Sequence, residues 1–410
     1  MALRRLDVLF ALGVLVGCAS AADDGAAGSE SALGAAGVAA AGTCTTPDEA
    51  IHVAPTGDDS AGGTADAPLR TITRALAGAQ PGQTVLVHVG SYKELVTFPR
   101  SGAAGRPITL RARCGERPVL DGTGLGAGKA LPALVYAEDR AHLVIDGFEM
   151  KGLSGKGGNF PAAIWIRGAA KDIVVRNNVI RQIAAENGGR DGGAHGIGVY
   201  GTKTDPAEDI VLEANELSDL SLGPSEALVV NGNVRRFKVA SNKVHDTNNI
   251  AFDFIGYEGT CAGCSGTDLS SAAVDRVREG LVSDNLAYNV TSRGNPAYGQ
   301  DRSAGCFYVD GGGNITIERN VAHHCDLGVE LASEHAGKAT TAIVVRNNFL
   351  WGNWVAGIST GGYSTGTGPG GGSAQGCSVV HNTIVDSSRD SWAGTGILLQ
   401  SRNSGNVYVN

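Results

Sequence analysis

Charge is scarce in this chain, and what there is forms no positive cluster. Asp, Glu, Lys and Arg make up 18% of the 410 residues, with a formal net charge of −8 and no basic run; soluble domains average about 25%. A nucleic-acid backbone needs a basic stripe to dock on, so nucleic acid is excluded as a partner. The leading apolar run, Val8 to Val16, is also too short for a membrane span, which takes roughly 20 residues. The Cys261-Ala262-Gly263-Cys264 pair stands without a second CxxC or a His pair. That argues against a zinc or redox site and leaves a small disulfide loop. Glycine is in excess, 61 of 410 residues and about twice ordinary usage, as tight bends and short loops require.

What the chain does have is a repeat. Ile-x-Val-x-x-Asn returns clearly at Ile173 to Asn178, Ile210 to Asn215, Phe237 to Asn242, Ile315 to Asn320 and Ile343 to Asn348. Weaker copies run from Gly280 to Asn285, Cys377 to Asn382 and Asn406 to Asn410. Successive marks, clear and weak together, lie roughly 27 to 43 residues apart, the spacing of a solenoid or array. Within a copy, apolar and polar residues alternate, so each short strand buries one face. A second apolar pair follows the Asn, then a loop, then a third strand such as Gly196 to Val199, Ala227 to Val230 or Gly328 to Leu331. Three short strands per coil describe an all-β, parallel β-helix, in which only neighbouring coils can satisfy the backbone. Asn at one bend of each coil would stack into an amide ladder. An ordinary β-sandwich would not need Asn at one phase of every copy.

The first residues stand apart from this pattern. Arg4, Arg5 and the short apolar run read as an export signal over residues 1–21. Leu15-Val16-Gly17-Cys18 resembles a lipobox, which would lipidate Cys18; cleavage after Ala19-Ser20-Ala21 is the alternative. The expected location is therefore an outer-membrane or cell-surface lipoprotein, or else periplasmic or secreted, with membrane contact only through the lipid. Residues 22–42, rich in Ala, Gly and Ser, form a flexible tether. Cysteine use fits an oxidising compartment: Cys44 with Cys114, Cys261 with Cys264, and Cys306 with Cys325 across adjacent rungs. Cys377 is left over.

Residues 43–125 form the N-terminal cap and first coils. Ile51 to Pro55 is a strand, and Pro68 opens a helix that puts Leu69, Ile72 and Leu76 on one face. Such a helix closes the open end of a solenoid. Residues 126–410 are the coils, without a matching C-terminal cap. The chain is expected to be a monomer unless another chain covers that edge.

The opening segments Val53 to Asp59, Pro81 to Val85 and Gly90 to Glu94 resemble those of right-handed parallel β-helix proteins. That superfamily includes pectate lyases, chondroitinase B-like and alginate lyases, and uronan epimerases. The resemblance covers nearly all of the mature chain and implies the fold without fixing the reaction. The stretches Asn248 to Gly256, Asn295 to Ser303 and Gly328 to His335 also resemble a bacterial β-helix subgroup.

Chemistry is sought where a strand breaks its own pattern. Asp253 interrupts Phe252 and Phe254, Asp310 ends Phe307-Tyr308-Val309, and Glu330 sits between Val329 and Leu331, with Glu334 just beyond. Carboxylates at one phase of successive coils would stack about 4.8 Å apart, and they repel unless a cation or base intervenes. Solvated acids on an outer face are the plainer reading of any single one. As a group they suit calcium, which takes six to eight oxygens. Arg302, His335 and Lys338 are candidate bases or electrophiles, and Tyr298 and Trp354 candidate sugar contacts, along with Trp165, Trp351, Tyr363 and Trp392. Lyases that resemble this chain pair a metal-ligand Glu with a catalytic Lys, which here would be Glu330 and Lys338, though these two lie too far apart for one strand.

The catalytic Asp pair and Arg-Ile-Lys of polygalacturonase-type hydrolases are absent, as is the Asp-Pro-His-Asp run of mannuronan epimerases. Ala194-His195-Gly196 reads as a turn. Two expectations remain: a calcium-dependent lyase acting on an acidic polysaccharide, and a noncatalytic β-helix that binds glycan or serves in the envelope or in adhesion.

Overall fold

A computed structural model of the protein describes residues 49–126, 128, 131–186, 192–362, 371–389 and 395–409. The export signal with Cys18, the tether, Cys44 and its expected pair with Cys114, Tyr363 and Trp392 lie outside these residues.

The alternating pattern folds into three long parallel sheets, one of fourteen strands and two of ten among the described residues. One coil shows why. Lys171–Arg176 lies in the first sheet, with Ile173 and Val175 buried inside. Asn177 then turns the chain at φ 57°, Val179–Arg181 enters the second sheet, and His195–Gly201 the third. Successive coils stack in register, so Ile173, Ile210, Phe237, Gly280, Ile315 and Ile343 form one inward column. Gly280 is the weak copy because Phe237 already fills its place: a Cβ there would lie 2.1 Å from the Phe237 ring. One apolar core runs from Val53 to Val379.

The repeated Asn is the seam. Asn178, Asn215, Asn242, Asn285, Asn320, Asn348 and Asn382 are all buried. Each Oδ1 from Asn215 onward accepts both the backbone N–H and the side-chain N–H of the Asn one coil earlier, as Asn285 does from Asn242 at 2.9 and 3.1 Å. Each Nδ2 also donates to a strand carbonyl of the previous coil, as Asn285 does to Val239 at 2.9 Å. The residue before each Asn is left-handed, although none is glycine: Asn177, Ala214, Ser241, Asp284, Arg319, Asn347 and His381.

The cap helix, Ile72–Gly78, buries Ile72, Ala75 and Leu76. It begins later than Pro68 because two carboxylates hold its start. Asp59 accepts from the N–H groups of Arg70 and Thr71, and Glu94 from those of Ile72 and Thr73. Leu69 is nevertheless buried, bridging to Val53. The Cys261–Cys264 and Cys306–Cys325 disulfides are present, and Cys377 is free and buried.

Replacing Asn285 with Ala would strip the acceptor from two buried Asn242 donors. We expect a loss of roughly 3 kcal/mol, taking about 1–3 kcal/mol per orphaned group, read as a shift in denaturation midpoint. A midpoint within error of wild type would show that the amide seam contributes nothing.

Candidate functional site

The third sheet has two faces with different duties. Its inward column, Ile197, Leu228, Phe252, Phe307 and Val329, fills the core. The outward column in the same register is Trp165, Gly198, Val229, Asp253, Tyr308 and Glu330. Exposure would be ordinary for such a column, yet Asp253 is 2% exposed, Tyr308 4% and Glu330 9%. Loops from the intervening coils bury it.

Each loop is anchored by its own charged groups. Asp275 accepts from the N–H groups of Gly259 and Cys261, and the buried Arg278 donates to the carbonyls of Leu269 and Ser271. The loop before Gly305 is gathered on Asp326, which is fully buried and accepts from Thr291, Ser292 and Ala304. Arg302 completes that anchor through an ion pair to Asp326 at 3.0 Å, its guanidinium 4.1 Å from the centre of the Trp354 ring. Arg302 and Trp354 therefore meet each other rather than the acids. Tyr298 is carried by the same loop, its hydroxyl 3.5 Å from Asn249.

The acids converge. Glu258, Asp310 and His335 each present a ligand atom within 4.8 Å of the other two. Asp310 ends the strand Gly305–Asp310 and accepts the Glu334 N–H at 2.7 Å. Glu258 follows the strand Phe252–Ile255 and accepts from Asn231 Nδ2 at 2.8 Å. Burial raises the Asp253 carboxyl well above the usual range, reinforced by Glu226, Asp310, Glu334 and Glu258. Asp310 and Glu226 are raised by burial and by the same neighbours. Glu330 is pushed up to about 8 by burial and by Glu334. Glu334, on an exposed turn, is raised by desolvation and Glu258, with His335 acting the opposite way. Among the described residues no Lys or Arg forms a salt bridge with any of these acids.

The expected acids Asp253, Asp310, Glu330 and Glu334 thus gather on one face, and His335 joins them. Burial raises the Tyr298 phenol, and Glu226, Glu334 and Asp253 add to that rise. Lys338 stands at the margin: its backbone N–H closes a turn onto the His335 carbonyl, and its ammonium lies 5.1 Å from the centre of the ring of Tyr257, the neighbour of Glu258. The sequence reading missed Glu226 and Glu258. It also took His195 for a turn, whereas His195 opens a strand and is 1% exposed. Glu226 occupies the equivalent position one coil on, just ahead of the apolar strand Leu228–Gly232.

One atom tests whether a cation fits. Asp253 Oδ1 is buried with no hydrogen-bond partner. An orphaned carboxylate oxygen among raised acids is the donor set that a hard cation satisfies. Glu258, Asp310 and His335 therefore suit a bound divalent ion, with the unpartnered Asp253 carboxylate in their electrostatic neighbourhood.

Residues 51–205 match a family described as Pel9A-like, right handed beta helix region. The chain is 36% identical over 314 residues to Uncharacterized protein YwoF of Bacillus subtilis (strain 168), covering 76% of this chain and 64% of that one. It is 38% identical over 102 residues to pectate lyase PEL9 of Emericella nidulans, covering 24% of this chain and 25% of that one. It spans less than two thirds of either relative. Among solved structures, an alginate lyase from Paenibacillus sp. str. FPU-7 aligns with a TM-score of 0.55 at 16% identity, covering 81% of this chain and 96% of that one. A GH136 lacto-N-biosidase from Eubacterium ramulus aligns with 0.55 at 13%, covering 88% and 67%. At such identities the likeness is of fold, which lyases and hydrolases share. The chain has a right-handed parallel β-helix fold, and its residues 51–205 match the Pel9A-like helix region.

The raised acids set a sign for pH dependence. Folded, they keep protons that the unfolded chain has already released, so folding takes up protons and stability falls as pH rises. For Glu330 that window runs from 4.5 to about 8. In chelator, the melting temperature should drop between about pH 5 and about pH 8, and Glu330→Gln should flatten part of the drop. A profile that rises across that range would contradict protonated acids in the fold.

Proposed function

We propose that the protein is an exported, calcium-dependent polysaccharide lyase that cleaves an acidic, uronate-containing glycan by β-elimination. The observation that supports this most is the convergence of Glu258, Asp310 and His335 on one point, with no Lys or Arg salt bridge to these acids among the described residues and an unpartnered Asp253 oxygen in the same electrostatic cluster. Calcium held there would neutralise the sugar carboxylate as a Lewis acid.

The rest falls to the chain. The covering loops bury Asp253, Asp310 and Glu330 and carry Tyr298, and they are held through Asp326 and Arg302. Lys338 Nζ is the base that takes the C5 proton. The electron pair forms the C4–C5 double bond, the C4–O bond breaks, and the departing oxygen gains a proton. Without an ion-pair partner among the described residues, the Lys338 amine is free to turn from Tyr257 toward a bound sugar.

A hydrolytic reading has one observation in its favour. Glu330, pushed up to about 8, is a proton donor at neutral pH, and it lies two rungs from Asp253 with Tyr308 between them. A protonated carboxyl with a second carboxyl on the same face is equipment that a glycoside hydrolase uses.

A panel of polyuronates incubated with calcium or chelator separates these outcomes. Calcium-dependent ultraviolet absorbance from unsaturated uronate ends is the expected result, and Lys338→Ala should lower kcat at least about 100-fold without lowering the melting temperature. New reducing ends without that absorbance would mean hydrolysis. No cleavage, together with melting indifferent to calcium, would leave a glycan-binding protein.

A further inference from the structure

Glu258 is the odd member of the ligand group. Asp253 and Asp310 are fixed by strands, whereas Glu258 is exposed on a loop. What aims it is a buried amide. Asn231 lies on the strand Leu228–Gly232, is fully buried, and is in register with Tyr200 and Ile255. Its Nδ2 donates to Glu258 Oε2 at 2.8 Å, and its Oδ1 accepts from Thr260 Oγ1 at 2.7 Å. A carboxylate can only accept, so the Glu258 contact fixes which end of the amide is the donor.

A second buried group backs the amide. Burial pushes the His195 imidazole down to about 4, so it is neutral at ordinary pH. Its Nδ1 faces the Glu226 carbonyl at 2.9 Å and must donate there. Its Nε2 therefore accepts from the Tyr200 hydroxyl at 3.3 Å, which orients Tyr200 one rung before Asn231, beside its amide. None of these three groups has a part in the elimination chemistry.

We propose that Asn231 is a positioning residue for the cation site, holding the Glu258 carboxylate toward Asp310 and His335, with His195 and Tyr200 fixing the amide from behind. The proposal rests on the cation-dependent reading above. Asn231 is not what places the loop. Asp275 grips Gly259 and Cys261, and the Cys261–Cys264 disulfide closes the segment. Removing the amide therefore frees a carboxylate without unseating its loop.

The test is cation binding by the full chain, read by calcium-dependent melting and by terbium luminescence. Asn231→Ala should lose about 10–100-fold in calcium affinity, the range for a lost ligand-orienting group, measured at a temperature where the chelator-treated variant is still folded. Its terbium decay should be faster, because water takes the place of the Glu258 oxygen. Thr260→Val, which keeps the amide but removes its second anchor, should lose less. Wild-type affinity and decay time in Asn231→Ala would overturn this inference alone. If Asn231→Ala does not fold, undiminished affinity in Thr260→Val overturns it. A wild type that binds neither ion overturns the cation-dependent reading, and this inference with it.

Discussion

The constraint on which everything depends is that a single coil cannot satisfy its own backbone. Each short strand leaves donors and acceptors open on both edges, and only the coils before and after can pair them. Stacking is therefore obligatory, and so is register. The Asn seam enforces that register with side chains. Each amide oxygen accepts from the Asn of the coil before it, and each amide N–H donates to the Asn oxygen of the coil after it, so a slip by one residue would orphan buried groups all along the column. The regular scaffold is rigid for this reason, and a rigid scaffold can carry irregular loops.

Function concentrates where those loops lengthen. An outward column on a solenoid is normally wet, and an acid there would be unremarkable chemistry. Covering the third sheet turns it into an interior, and the same acids become costly to ionise. The loops that cause this are held by charges of their own: Asp275, Asp326 and Arg278 are matched to backbone groups, and Arg302 to Asp326. The contrast between matched anchors and unmatched acids separates structure from site within a few ångströms.

The scaffold was legible because its signal repeats: five clear copies of one phrase located the ladder, and even the weak copies at Asn285 and Asn382 joined it. Asp253, Asp310 and Glu330 were legible because each breaks an apolar strand. Glu226 and Glu258 were not, because neither interrupts a strand; they reach the cluster through coil stacking that a linear pattern does not display. Arg302 looked like chemistry as a candidate base or electrophile near the acids, and its meaning became plain only with Asp326 opposite it. His195 was hidden by the glycines around it. The cap helix was placed correctly in kind but began too early, because the partners that set its start, Asp59 and Glu94, lie 12 residues before and 22 after the positions they hold.

The bends before the seam have a practical side. At Ala214, Arg319 and His381 the chain is left-handed with φ of 54°, a conformation that L-residues other than Asn and Asp rarely adopt and that costs about 1 kcal/mol each. These positions are paved with tolerated tension, repeated coil after coil on a surface remote from the acids. For anyone wishing to harden the molecule for industrial heat, they are addresses where Gly or Asn could relax the chain without touching its working face.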